Sequence, residues 1–193
     1  LTKAMGLVAS SKIRRANETM HKGRDYAAAL ENMVEILSSD RECLKSPYMQ
    51  VRDSGRTRII VIAGDRGLAG GYNANVFRLA ATYPDAQIIP IGKRACDRYD
   101  MPAVASYMDL SVEAEAFGAH IADMRAKIAD ELCSDFAEGK FDRLGIISTR
   151  YISVMSQEAY IRWLLPFEKS DKNDASGVVF EPDGLTVLNN VAR

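Results

Sequence analysis

Arg58-Ile59-Ile60-Val61-Ile62-Ala63-Gly64-Asp65-Arg66-Gly67-Leu68-Ala69-Gly70-Gly71-Tyr72-Asn73-Ala74-Asn75 reads as strand, turn and helix without a break. The β-branched run up to Ala63 has no polar alternation, the pattern of a strand covered on both faces of a parallel sheet. Gly64 to Gly71 supply a tight turn. Tyr72 onward resumes helical spacing toward Ala81, with Asn73 in the position of an N-cap. Strand, turn and helix in this order open a βαβ unit, so the fold expected is α/β with a mostly parallel sheet.

Downstream, residues 87–92 form a second apolar run, in which Pro90 disfavours pairing on both sides. A short helix is expected near residues 93–99, and Ala103-Val104-Ala105-Ser106 reads as a third strand. From Ser111, with Glu113 and Glu115 favourable in the first turns, a long helix presents Phe117, Ile121, Met124, Ile128, Leu132 and Phe136 on one face, and Gly139 suits its stop. Residues 144–149 and 159–165 read as a fourth and a fifth strand. The turn of residues 153–157 between them is too short for a helical crossover, so that pair is expected antiparallel. Residues 166–184 are loop-like, and residues 185–193 begin another helix.

Upstream, one heptad seam runs through Thr2, Gly6, Ala9, Ile13, Ala16, Met20, Gly23, Ala27, Leu30, Val34 and Leu37. That spacing describes a single long helix whose seam needs a partner helix. Gly, Ala and Thr dominate its first half, so a partner must approach backbone to backbone, and each of Gly6 and Gly23 costs the helix roughly 1 kcal/mol relative to alanine. The domains expected are a shaft helix at 1–39, a linker at 40–57, a globular α/β domain at 58–184 and the start of a further helix at 185–193. The whole is a Rossmann-like, mostly parallel five-stranded sheet with flanking helices, plus a long N-terminal coiled-coil helix.

The chemistry-bearing groups are sparse. Of the 193 residues 47% are hydrophobic, enough for a core, and the net charge is −1. Residues 1–24 nonetheless hold Lys3, Lys12, Arg14, Arg15, Lys22 and Arg24 against Glu18 alone, so basicity sits on the helix. No aromatics interleave with that run, which reads as a solvated flank or a contact with an acidic protein surface rather than a nucleic-acid site. Cys43, Cys96 and Cys133 lack C-x-x-C spacing and read as reduced, buried thiols. His21 and His120 are isolated from any metal-ligand pattern, and no serine has a nucleophile-elbow context. No run approaches the roughly 20 apolar residues of a membrane span.

The glycine-rich turn has the spacing G-x-x-G-x-x-G-G, neither the dinucleotide pattern nor the phosphate-loop pattern, and no lysine follows to reach a phosphate. We read it as a structural turn that holds no ligand, with Asp65 and Arg66 as a local ion pair. No catalytic, cofactor-binding or metal-binding residue is assigned.

Several segments resemble the gamma subunit family of F-type ATP synthase. Leu1-Thr2-Lys3-Ala4-Met5-Gly6-Leu7-Val8-Ala9-Ser10-Ser11-Lys12-Ile13-Arg14-Arg15-Ala16 is similar to that family's opening I-T-K-A-M-x-M-V-A-A-x-K-[LM]-R-[RK]. Ser46-Pro47-Tyr48 resembles its H-P-Y, and Asp65 to Asn73 its D-R-G-L-C-G-G-x-N. Met155-Ser156-Gln157, Leu164-Leu165-Pro166 and Phe180-Glu181-Pro182 resemble T-M-S-Q, Q-L-L-P and Y-E-P in the same order. Ala69 stands where the family often has Cys, and Ser10-Ser11 replace its usual alanines.

The resemblance implies a non-catalytic central-stalk rotor subunit that couples proton flow through the membrane ring to ATP synthesis or hydrolysis. Its implied partners are the alpha and beta subunits of the catalytic ring, the epsilon subunit and the membrane c-ring. Nucleic acid and cofactors are absent from that set. Carried over by position, Lys3, Met5, Val8, Lys12, Arg14 and Arg15 face the ring from the shaft, and Gly64, Asp65, Arg66, Gly67, Gly70 and Gly71 form a structural signature turn. A bacterial member would lie peripherally on the cytoplasmic face of the cell membrane. The family's long C-terminal helix has no counterpart here, so the chain reads as a piece whose seam is unpaired, borrowed by a second copy, or frayed. The alternative reading is a small nucleotide-binding α/β enzyme that dimerises through its N-terminal helix.

Overall fold

In the computed structural model, residues 2–100, 114–153, 155–170 and 178–192 are described, with side chains from residue 6 in the first helix and from residue 126 in the fourth. The chain divides into two compact units, residues 1–44 with 169–191 and residues 45–168 with 192–193.

The second unit is built on a four-stranded sheet in the order β2-β1-β3-β4. Strand β1 (Thr57–Ile62) pairs in parallel with β2 (Gln87–Ile91) on one side and with β3 (Arg143–Ser153) on the other. β3 then runs antiparallel to β4 (Ser156–Leu165). The β-branched run therefore lies inside the sheet, as its lack of alternation predicts, and Pro90 sits on β2, the edge among the described strands, where a missing N–H costs least. The expected third strand, Ala103 to Ser106, falls outside the described residues, so the sheet described has four strands rather than five. The hairpin is longer than its apolar residues suggest. Its ladder extends to Ser153 and Ser156, leaving a much tighter turn than the expected 153–157.

Both faces of the sheet are covered. On one, Ile60, Leu144 and Leu165 meet Leu132, Cys133 and Phe136 of helix α4 (Ala114–Ala137), together with Tyr48 and Phe141. On the other, Ile59, Val61 and Ile147 meet Val76 and Ala80 of helix α2 (Tyr72–Ala80). Helix α3 (Lys93–Tyr99) follows β2. Ile128, Leu132 and Phe136 face the core as their spacing predicts. The positions of Phe117, Ile121 and Met124 lie outside the described side chains, as do Ser111 and Glu113 altogether. Gly139, at φ 74, follows the end of α4 as expected of a helix stop.

Residues 45–56, expected as a linker, are packed into this unit. Tyr48 and Met49 are buried, and the Tyr48 ring stacks on Phe136 with centroids 6.3 Å apart. Asp142 is 2% exposed, and its Oδ2 accepts from the Ser54 and Arg56 backbone N–H groups at 2.8 and 3.1 Å and from the Ser54 hydroxyl. Its Oδ1 takes no hydrogen bond among the described atoms and faces the Arg56 guanidinium at 3.6 Å. Nearby, Asp135 takes Lys140 Nζ on Oδ1 and Arg58 Nη1 on Oδ2, each at 2.6 Å.

In the first unit, helix α1 (Thr2–Leu37) is continuous over the heptad seam. Gly6, Ala9, Ile13 and Ala16 are exposed, Met20, Ala27, Leu30 and Val34 are half-buried, and Leu37 is fully buried. Helix α5 (Gly184–Val191) packs against α1. Among the described residues α5 covers about two turns, so the expected long coiled coil is not seen there. Asp183 caps α5, accepting from the Thr186 N–H and hydroxyl, both at 2.8 Å.

Two outcomes follow for the second unit. Phe136→Ala removes a fully buried ring and is expected to cost about 3–5 kcal/mol in urea unfolding. The hydrogen bonds from Ser54 and Arg56 hold the Asp142 carboxyl below the usual aspartate range, as those from Lys140 and Arg58 do for Asp135. A lowered folded pKa contributes stability that is complete above the unfolded value of about 4 and lost as pH falls through the folded value. Acid titration of unfolding should therefore show a loss beginning near pH 4 that is smaller in Asp142→Asn. An unchanged acid limb in that variant would refute this assignment.

Candidate functional site

The glycine-rich turn after β1 is the densest junction of loops in the second unit. The Gly64 N–H donates to Asn73 Oδ1 at 2.8 Å, and Asn73 Nδ2 donates to the Arg66 carbonyl at 3.2 Å. Asn73 is thus a tie across the turn. Its expected role as N-cap falls to Gly71, which offers no side-chain cap, because α2 begins at Tyr72, two residues before the start that a cap at Asn73 would set. Asp65 does not pair with Arg66. Its Oδ1 accepts instead from the Lys93 N–H at 2.9 Å, at the start of α3, because adjacent side chains in the turn point apart. The Arg94 N–H donates to the Gly64 carbonyl at 3.1 Å, and the Arg94 guanidinium lies over Gly67.

Gly92 is the residue at this junction that sequence reading passed over. It holds φ 90, and a Cβ there would lie 2.1 Å from the Ala63 carbonyl oxygen. The backbones after β1 and β2 touch at that point, so no side chain fits. The available signal was a glycine directly after an apolar strand, but nothing in the sequence says which neighbour approaches it.

At a βα turn, backbone N–H groups are the phosphate donors, yet here the Gly64 and Lys93 N–H groups are taken by Asn73 and Asp65. A cleft of about 150 Å³ lies beside the turn, lined by Gly70, Gly71, Tyr72, Asn75, Thr149 and Gln157 among others. That is smaller than the roughly 300–1,000 Å³ of pockets that hold drug-sized molecules. Among the described residues no group of His, Cys, Asp or Glu is placed to hold a metal. Burial and the nearby Asp40 push the Cys43 thiol up to about 11, and burial with Asp97 raises Cys96, so neither offers a thiolate nucleophile. All three cysteines are free and buried.

The helix-borne residues lie apart from this turn in sequence and belong to the other unit. Val8, Lys12, Arg14 and Arg15 are exposed on α1, and the side chains of Lys3 and Met5 lie outside those described. Arg14 reaches Glu18 one helical turn on, at 3.8 Å. Leu7 is 74% exposed, Val8 57% and Ile13 52%. Over the first half of this helix Leu7, Val8 and Ile13 thus lie open to solvent beside Lys12, Arg14 and Arg15.

The sequence matches the family described as ATP synthase over residues 1–193. The chain belongs to the ATP synthase gamma-subunit family. A chain of the Tetrahymena thermophila mitochondrial ATP synthase central stalk and c-ring shares its fold, with a TM-score of 0.63 and 19% identity over 99% of this chain and 85% of that one. Two chains of the Euglena gracilis mitochondrial ATP synthase are also similar, one from the OSCP/F1/c-ring assembly and one from the rotor. They cover 95% and 94% of this chain and 74% and 76% of theirs, at 15% and 14% identity and TM-scores of 0.38 and 0.37. As a gamma-family member the chain carries long helices and an α/β unit. Among its described residues no helix is long and apolar enough to cross a membrane.

Gly92→Ala should separate the two loops and lower the thermal midpoint far more than Gly6→Ala, whose added Cβ meets nothing within 4 Å. Equal midpoints for the two variants would contradict the close approach at Ala63.

Proposed function

We propose that this chain is the central-stalk rotor of an ATP synthase, coupling ion flow through a membrane ring to ATP synthesis or hydrolysis in separate catalytic subunits. The observation that carries the reading is the family match along the whole chain together with an exposed apolar and basic stripe on α1. Rotation of an asymmetric helix against a ring of catalytic subunits presents a different face to each in turn. Binding energy differs between faces, and that difference shifts each site's affinity for its nucleotides.

In this reading Lys3, Met5, Val8, Lys12, Arg14 and Arg15 face the ring of alpha and beta subunits. The cations meet acidic groups, and Met5 and Val8 supply sliding apolar contact. The second unit sits toward the c-ring and the epsilon subunit, peripheral to the membrane and, in a bacterium, on its cytoplasmic face. Gly64, Asp65, Arg66, Gly67, Gly70 and Gly71 act structurally, by joining the loops after β1 and β2. Catalysis belongs to the partner subunits in this reading.

Replacing Lys12, Arg14 and Arg15 together by Gln in the full-length chain, assembled with its partners, is expected to weaken the coupling between ATP hydrolysis and ion pumping. The domain's thermal unfolding should not change, because all three side chains are exposed. Undiminished coupling would remove the role given to these cations.

A further inference from the structure

We propose that the outer edge of β4 pairs, antiparallel and about a two-fold axis at Tyr160, with the same edge of a second copy of this chain. The pairing belongs to the free chain and does not rest on the rotor reading.

β4 ends the sheet in the order β2-β1-β3-β4, and among the described residues no strand pairs with its outer side. An edge strand presents a row of N–H and C=O groups that can template another strand, and folded proteins blunt such rows with lysine, proline, bulges or short length. β4 runs from Ser156 to Leu165 with neither lysine nor proline. Opposite β3 its register is unbroken from Gln157 against Tyr151 to Trp163 against Gly145, and the irregularities lie beyond those two ends. A regular run of strand is therefore open along its edge, with Tyr160 at its midpoint.

The charge pattern selects a second copy as the occupant. Facing residues of an antiparallel pair put their side chains on the same face of the sheet, so a two-fold between identical strands falls on a residue rather than between two. Glu158 and Arg162 are both exposed, and they flank Tyr160 at equal spacing on its own face. With the axis at Tyr160, Glu158 of each copy stands opposite Arg162 of the other. The whole regular run then pairs with itself, ending with Gln157 opposite Trp163. On the other face Ala159 comes against Ile161, residues that already pack beside the Val76 core, so apolar meets apolar. Moving the axis by one residue sets Glu158 against Leu164 or Tyr160 and breaks both ion pairs.

The test is sedimentation velocity of the full chain over a wide range of concentration, where a reversible monomer–dimer equilibrium is expected. Glu158→Arg sets arginine against Arg162 at two symmetric places, and Arg162→Glu sets glutamate against Glu158. Each single reversal is expected to weaken self-association about tenfold, because cross-strand attraction becomes repulsion twice over. Mixed in equal amounts, the two single variants oppose unlike charges at both places, and the mixture should dimerise as the parent does. The doubly reversed chain should recover in the same way. Circular dichroism checks that each variant is folded. Where a reversal unfolds the chain, Glu158→Gln or Arg162→Gln takes its place, with a smaller loss expected. A parent that is monomeric at every concentration overturns the proposal. So does a dimer indifferent to these changes, which would place the contact on another surface, or a mixture of the two single reversals that fails to recover.

Discussion

The register between β1 and β3 rests on one buried carboxylate. Asp142 stands immediately before β3, and its Oδ2 gathers donors from Ser54 and Arg56, immediately before β1, while its own N–H donates to the Arg56 carbonyl at 2.8 Å. The ladder then starts with Thr57 opposite Arg143. A slip of one residue would turn Ile60 and Ile146 away from α4 and toward α2. Both cores therefore depend on this clasp, since Phe136 and Leu132 need one set of isoleucines and Val76 the other.

Burial on two faces also explains why β1 was so legible. Ile59 to Ile62 must be apolar on both sides, and only a central strand of a covered sheet asks for that. Heptad spacing made α1 legible in the same way, as a property carried by each residue of one element. Asn73 and Asp65 were misjudged for the opposite reason. Their partners, Gly64 and Lys93, are reached across a turn, and for Asp65 across 28 residues, so local propensity offered a cap and an adjacent ion pair while tertiary contact decided otherwise. Gly92 and Asp142 belong to the same class, single residues whose meaning lies in a distant backbone. The hairpin extends beyond its expected ends because Arg150, Ser153, Ser156 and Gln157 are polar and exposed, and there the ladder alone defines the strand.

The site reading shows what a motif's spacing is worth. G-x-x-G-x-x-G-G departs from the nucleotide patterns. At this turn the Gly64 and Lys93 N–H groups are held by Asn73 and Asp65. What remains is a rigid α/β unit and a helix exposing Leu7, Val8 and Ile13 beside Lys12, Arg14 and Arg15. The chain's membership of the ATP synthase gamma-subunit family rests on the match along its whole length.

Rotation within an assembled ATP synthase is the most direct test of the proposed rotor role. With the full-length chain assembled in an ATP synthase whose catalytic ring is fixed to a surface, a fluorescent rod attached to the second unit should rotate in one direction when ATP is added and stop when it is removed. A rod that stays still while the same complex hydrolyses ATP would contradict it.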